Sequence, residues 1–126
     1  MLFRSYIHFE TGEFYVGGGI WVPNNDQLRK IREAIKQDPD SFTDIVEDRA
    51  FKKRFGQLQG EKLKTAPKGV PEDHPMIDYL RHKQFFVGRS YAEKEAYKGT
   101  LPKKIAEDFK ALMPFIRWLN KSQKMW

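Results

Sequence analysis

The chain has 126 residues, enough for one domain with one real core, and its 40% hydrophobic and 14% aromatic content belongs to a folded globular protein. It has no cysteine, which excludes a disulfide framework and a thiolate metal site, and no apolar run long enough to span a bilayer. The net charge of +6 is scattered among 17 acidic residues in short clusters such as Lys52-Lys53-Arg54 and Arg81-His82-Lys83, with no continuous arm or recognition helix, so solubility rather than nucleic-acid binding is the expected meaning.

The N-terminus lacks the charged start, apolar core and cleavage site of a signal peptide, which predicts a cytoplasmic protein without membrane contact. Residues 2–10 and 13–22 both alternate in the manner of strands, and Thr11-Gly12 between them suits a two-residue turn. That turn sets a register: Phe9 faces Phe14, Ile7 faces Val16, Ser5 faces Gly18 and Phe3 faces Ile20 on an apolar face expected to be core. The other face pairs His8 with Tyr15, Tyr6 with Gly17, Arg4 with Gly19 and Leu2 with Trp21.

Three successive glycines, Gly17, Gly18 and Gly19, weaken this strand and pack nothing, so something large should lie against the backbone there. Two readings follow. Aromatic and long side chains of the neighbouring strand cover the glycines as a packing device. Alternatively, Arg4, Tyr6, His8, Tyr15 and Trp21 form a shallow site in which the glycines give a ligand room, and an exposed aromatic patch of this kind suggests a missing cover.

Pro23-Asn24-Asn25-Asp26 marks a stop and then a helix N-cap, with Leu28, Ile31 and Ile35 on the buried face and an end before Pro39. Asp40 or Ser41 is predicted to cap a second helix, with Asp44 near the capping-box position, Phe42, Ile45, Val46, Ala50 and Phe51 as its apolar side and an end at Phe55-Gly56. Leu58 and Leu63 could anchor extended pieces around Gly60, and residues 65–71 form a loop. Asp73 could cap a short helix with Pro75 in its first turn. Residues 84–90 read as a strand with Phe85 and Phe86 on opposite faces, and residues 91–97 as a short helix. Thr100 then caps the longest helix, whose Leu101, Ile105, Phe109, Leu112, Ile116 and Leu119 form one buried stripe, kinked at Pro114. The sum is one α+β domain over residues 1–126: an antiparallel sheet led by the N-terminal hairpin, packed by helices and closed by the long C-terminal one.

The motifs of known chemistries are missing. No Gly-Lys-Ser/Thr follows the glycine run, and Val22 stands where a dinucleotide fingerprint needs its third glycine. His8, His74 and His82 have no metal-ligand spacing, and no Ser-His-Asp order or paired-carboxylate motif stands out. Asp73-His74 offers an acid–base pair, but adjacent residues seldom face each other, and His74 reads more simply as a helix-start residue. No catalytic residue, metal ligand or cofactor is assigned.

Tyr6-Ile7-His8-Phe9 before Val16-Gly17-Gly18-Gly19-Ile20-Trp21-Val22-Pro23, the segment 28–35, and Leu63-Lys64-Thr65-Ala66-Pro67-Lys68-Gly69 followed by Asp73-His74-Pro75, Leu80 and Lys83 together resemble the C-terminal portion of the uncharacterised conserved family called domain of unknown function 2461. The resemblance covers nearly the whole chain and implies that the family's usual N-terminal half, with its Arg-Asp-containing segment, is absent. It implies no activity. It singles out Gly17, Gly18, Gly19, Trp21, Arg32, Lys64, Pro67, Lys68, Gly69, His74, Pro75 and Lys83. The functional expectation is a non-catalytic binding or assembly domain that uses the Tyr6/Tyr15/Trp21 face to bind a second copy of itself or a missing N-terminal segment. The alternative is an enzyme or binder of a phosphorylated or carboxylated small molecule, with Lys64, Lys68 and Lys83 holding the anion and Arg4 or His8 near the reacting group.

Overall fold

The computed structural model describes residues 4–10 and 12–125, without the side chains of Arg4, Ser5, Tyr6, Phe9, Glu10, Ala96 and Met125. Three strands, β1 (Arg4–Glu10), β2 (Glu13–Ile20) and β3 (Phe85–Ala92), form an antiparallel sheet in the order β1-β2-β3. The hairpin has the register that the alternation predicts, from Arg4 opposite Gly19 to Glu10 opposite Glu13. Gly12 has a φ of 94°, the left-handed conformation that so tight a connection demands. Leu2, Phe3 and Thr11 lie outside the described residues.

The helices are α1 (Asn25–Gln37), α2 (Pro39–Val46), α3 (Arg49–Phe55), α4 (Ile77–Leu80) and α5 (Leu101–Met125). They cover the face of the sheet that carries Val16, Phe85 and Val87, all buried, with α5 lying across β2 and against α1 and α2. The α5 stripe is core: Leu112, Phe115 and Leu119 are fully buried, with Ile31, Ile35 and Phe42 of the facing helices. The helix continues through Pro114, whose ring nitrogen cannot donate the usual backbone bond.

Several local expectations are corrected. Ile7, expected in the core, is 46% exposed, because it lies on β1 at the margin of the sheet. The predicted second helix is two helices. Asp38, not Asp40 or Ser41, caps the first by accepting from the Ser41 amide, with Pro39 in the first turn. Asp48 caps the next by accepting from the Phe51 amide at 3.0 Å, which breaks the run and leaves Ala50 exposed. Asp73 caps nothing: Met76 precedes α4 without a side-chain cap bond. Residues 56–63 are a strap rather than a strand, touching β3 through the Gln59 amide on the Phe86 carbonyl at 2.8 Å and joined to His82 by a single bridge from Lys62. Tyr91 and Ala92 belong to β3, and the turn after them, Glu93–Tyr97, is 3₁₀.

Candidate functional site

The glycine run makes room for the protein's own rings. Gly17 sits opposite Gly88 of β3, and on that open face Tyr15 and Phe86 lean toward each other across the pair, stacked at 6.1 Å and 8°. A Cβ on Gly17 would stand 2.7 Å from Phe86 Cζ and 2.9 Å from Tyr15 Cε1, and one on Gly88 would fall on the Tyr15 hydroxyl. Gly19, with φ of 121°, would drive a Cβ into the Phe85 carbonyl. Gly18 faces the helical side opposite Val87 and is buried. The Tyr15 hydroxyl donates to Gln59 Oε1 at 2.7 Å, and Gln59 Nε2 donates to the Gly88 carbonyl at 3.3 Å. Over Gly17 and Gly88 the space is therefore filled by Tyr15 and by Phe86, which β3 supplies from far along the chain. His8 is exposed, and Arg4 and Tyr6 keep the predicted partners Gly19 and Gly17, their side chains lying outside the described residues.

The far end of that face is open at Trp21. Trp21 packs its edge on Phe86, ring centroids 5.5 Å apart, and is still 47% exposed. Beside it the chain turns into α1. The Asn24 side chain accepts from the Gln27 amide and the Gln27 side chain accepts from the Asn24 amide, so the helix start is fixed by a reciprocal cap. With Ile31 and Ile35 of α1 buried, Arg32 falls on the margin of the core. Its Nε donates to the Leu80 carbonyl at 2.9 Å and its terminal nitrogen to the His82 carbonyl at 3.2 Å, where α4 leads into β3. Burial pulls its pKa below the ordinary arginine value, yet it stays a cation at any working pH. Among the described residues no carboxylate pairs with it.

Trp21, Arg32 and Lys83 line one open cleft of about 420 Å³, whose apolar wall includes Val22, Leu28 and Leu63. The Lys83 ammonium lies 3.4 Å from Glu61 Oε2 with both side chains largely in solvent, a weak pair. The chemistry assembled here is an aromatic edge, an apolar wall and two cations, one of them half-desolvated.

The expected triad of Lys64, Lys68 and Lys83 is not the lining of this cleft: Lys83 takes part, while Lys64 and Lys68 are exposed on the loop and do not line it. The Lys64 carbonyl accepts from Arg81 at 3.3 Å, a structural tie. His74 also has a local task, its Nδ1 accepting the Met76 amide at 3.0 Å ahead of α4. Among the described residues there is no group of three His, Cys, Asp or Glu side chains that could hold a metal ion, and no helix long and apolar enough to cross a membrane.

Two buried features escape the sequence reading. Asp108, fully buried on α5, accepts from Arg54 at 2.6 Å and from the Tyr91 hydroxyl at 2.5 Å, with Arg89 at 3.8 Å. Burial first, and then this carboxylate, push the Tyr91 phenol up to about 12. The signal was present: Leu101, Ile105, Asp108, Leu112, Phe115, Leu119 and Ser122 recur at alternating spacings of four and three, so Asp108 and Ser122 hold core positions of the stripe. The second is His82, placed by the sequence in a basic cluster and found only 6% exposed.

The family model described as "Conserved hypothetical protein (DUF2461)" matches residues 3–118. The match runs over most of the chain and gives no support to reading it as the later portion of a longer domain. No curated protein and no solved structure matches.

Proposed function

The chain belongs to the DUF2461 family of conserved hypothetical proteins, and within that family we propose that it is a non-catalytic binding domain whose ligand is an anion carrying an apolar or aromatic part, seated in the cleft between Trp21, Arg32 and Lys83. The observation that carries this reading is Arg32. A guanidinium drawn half out of water and held only by two carbonyl dipoles has paid a desolvation cost that no carboxylate of the described chain offsets. An incoming carboxylate or phosphate would supply the missing charge, and the two carbonyls already hold the planar fork in place for it. Trp21 and the apolar wall then favour a ligand with a hydrophobic body.

The test is thermal unfolding with benzoate, phenyl phosphate and inorganic phosphate. Ligand that binds only the native state raises the melting temperature by mass action. The expected order is phenyl phosphate and benzoate above inorganic phosphate, with the effect lost in Lys83→Ala and Trp21→Ala. No stabilisation by any of the three would sink the reading.

A second reading keeps the cleft and changes the occupant. Trp21 and Val22, at 47% and 83% exposed, are adjacent apolar side chains on the surface. They suit the apolar surface of another copy of this chain, one of whose acidic side chains would reach Arg32 and Lys83 as the anion. Native mass spectrometry separates the two: a dimer abolished by Lys83→Glu supports the second, and a monomer whose mass rises with phenyl phosphate supports the first.

A further inference from the structure

A second cavity, of about 350 Å³, lies on the other side of the Leu80–His82 turn, between the end of α2, α3, the 56–63 strap and α4. His82 lines it. Its ring is fixed from several directions: Tyr79 stacks at 6.5 Å and 23°, Phe85 lies at 6.1 Å, Arg32 holds its carbonyl, and Lys62 bridges its backbone. Although the residue is only 6% exposed, Nδ1 has no hydrogen-bond partner. Leaving a buried polar atom unpaired costs free energy, so a protein seldom keeps one without use.

The groups around this imidazole are charged, and their charges balance. Glu47, Asp78, Lys52 and Lys62 all belong to the same lining. The Tyr79 hydroxyl donates to Glu47 Oε2 at 2.8 Å, which orients that carboxylate and leaves its other oxygen available. A simple anion entering here meets two carboxylates as well as two ammonium groups, and a simple cation meets the reverse. A molecule carrying both charges is satisfied at both ends. The imidazole, held neutral by burial and by Lys62 in the neighbourhood of physiological pH, offers one donor or acceptor without adding to either side.

We propose that this cavity binds a small zwitterion of the α-amino acid class, with its carboxylate toward Lys52 and Lys62 and its ammonium toward Glu47 and Asp78, packed against the His82 ring. The site is separate from the Trp21 cleft and stands on different residues.

The experiment is a titration of the full chain, followed by the ring resonances of His82 in nitrogen-15 NMR. The probes are the twenty L-amino acids, with acetate and methylammonium at the same millimolar concentration as half-ligands. At least one amino acid should move the His82 ring saturably, while acetate and methylammonium do not. Lys62→Gln and Glu47→Gln should each weaken that binding about tenfold, the effect of one lost charged contact. Lys62 is exposed, so its variant should keep the dispersed amide spectrum of the folded chain, and Trp21→Ala should leave the titration unchanged. Silence from all twenty amino acids overturns the proposal. So does an equal response to acetate or methylammonium, or a response that Lys62→Gln does not weaken.

Discussion

Asp108 and Arg32 are both charged side chains carried into the fold, and the fold handles them in opposite ways. Asp108, at 0% exposure, sits on the core stripe of α5 with an arginine and a tyrosine hydroxyl on its two oxygens and a second arginine behind them. Arg89 in turn lies 4.6 Å above the Tyr91 ring. Each oxygen of the carboxylate has a partner from α3 or β3, which ties three elements together. Arg32 is held just as firmly in position but by neutral carbonyls alone. A charge answered from within is a part of the architecture. A charge left unanswered at the wall of a cleft is where an external partner gains the most.

Perturbing each charge can break or sharpen this contrast. The largest effect belongs to Asp108→Ala, which leaves Arg54 and Arg89 facing one another and the Tyr91 hydroxyl without an acceptor. Urea unfolding should show a loss of about 4 kcal/mol; a loss under about 1 kcal/mol would place Asp108 with weak surface pairs instead.

Acid should reach the Arg32 side of the molecule next. In the unfolded chain His82 takes up a proton near pH 6.5, but in the folded chain burial, and then Lys62, hold its pKa down to about 4. Between these values the unfolded state binds the extra proton, so stability is intact above pH 6.5 and declines as pH falls toward 4. The expected loss over that window is about 3 kcal/mol. His82→Phe should flatten that part of the pH–stability curve, and an unchanged curve would mean that other groups control it.

Arg32→Gln comes third. It removes two hydrogen bonds to carbonyls but also a desolvated charge, so the stability change should be only about 1–2 kcal/mol, while the shift in melting temperature given by phenyl phosphate disappears. If stability collapsed as it does for Asp108→Ala, Arg32 would be architecture after all. The smallest effect on folding belongs to Lys83→Ala, within about 0.5 kcal/mol by urea unfolding because its pair with Glu61 is exposed, though it should still weaken anion binding.

The same contrast explains what could be read from the chain and what could not. The hairpin register was legible because a period of two and a two-residue turn fix it locally. The stripe of α5 was legible for the same reason at a period near 3.6. The meaning of the glycines was not, since the rings that fill their space include Phe86, and Gly88 completes the gap from a strand on the far side of the helices. The split of the second helix turned on two aspartate caps, Asp38 and Asp48, that compete with neighbouring polar residues for the same role. Of the cleft, Trp21 and Lys83 stood out in the sequence and Arg32 stood out through family resemblance, but their meeting depends on the turn at residues 80–83 coming back against α1. His82 and Asp108 were hidden because residue type alone places them at the surface, and only the buried neighbours at three- and four-residue spacing argue otherwise.

Gln59 has a consequence for how the sheet meets other chains. Its amide occupies the Phe86 carbonyl and its side chain occupies the Gly88 carbonyl along the outer side of β3. A strand arriving from that direction finds the Phe86 and Gly88 carbonyls taken and a strap in its path. Among the described residues, β1 is the other margin of the sheet, and it carries the half-exposed Ile7. Growth of this sheet by strand addition, whether in a useful complex or in aggregation, therefore meets an obstacle along the Phe86–Gly88 stretch of β3 that β1 does not share.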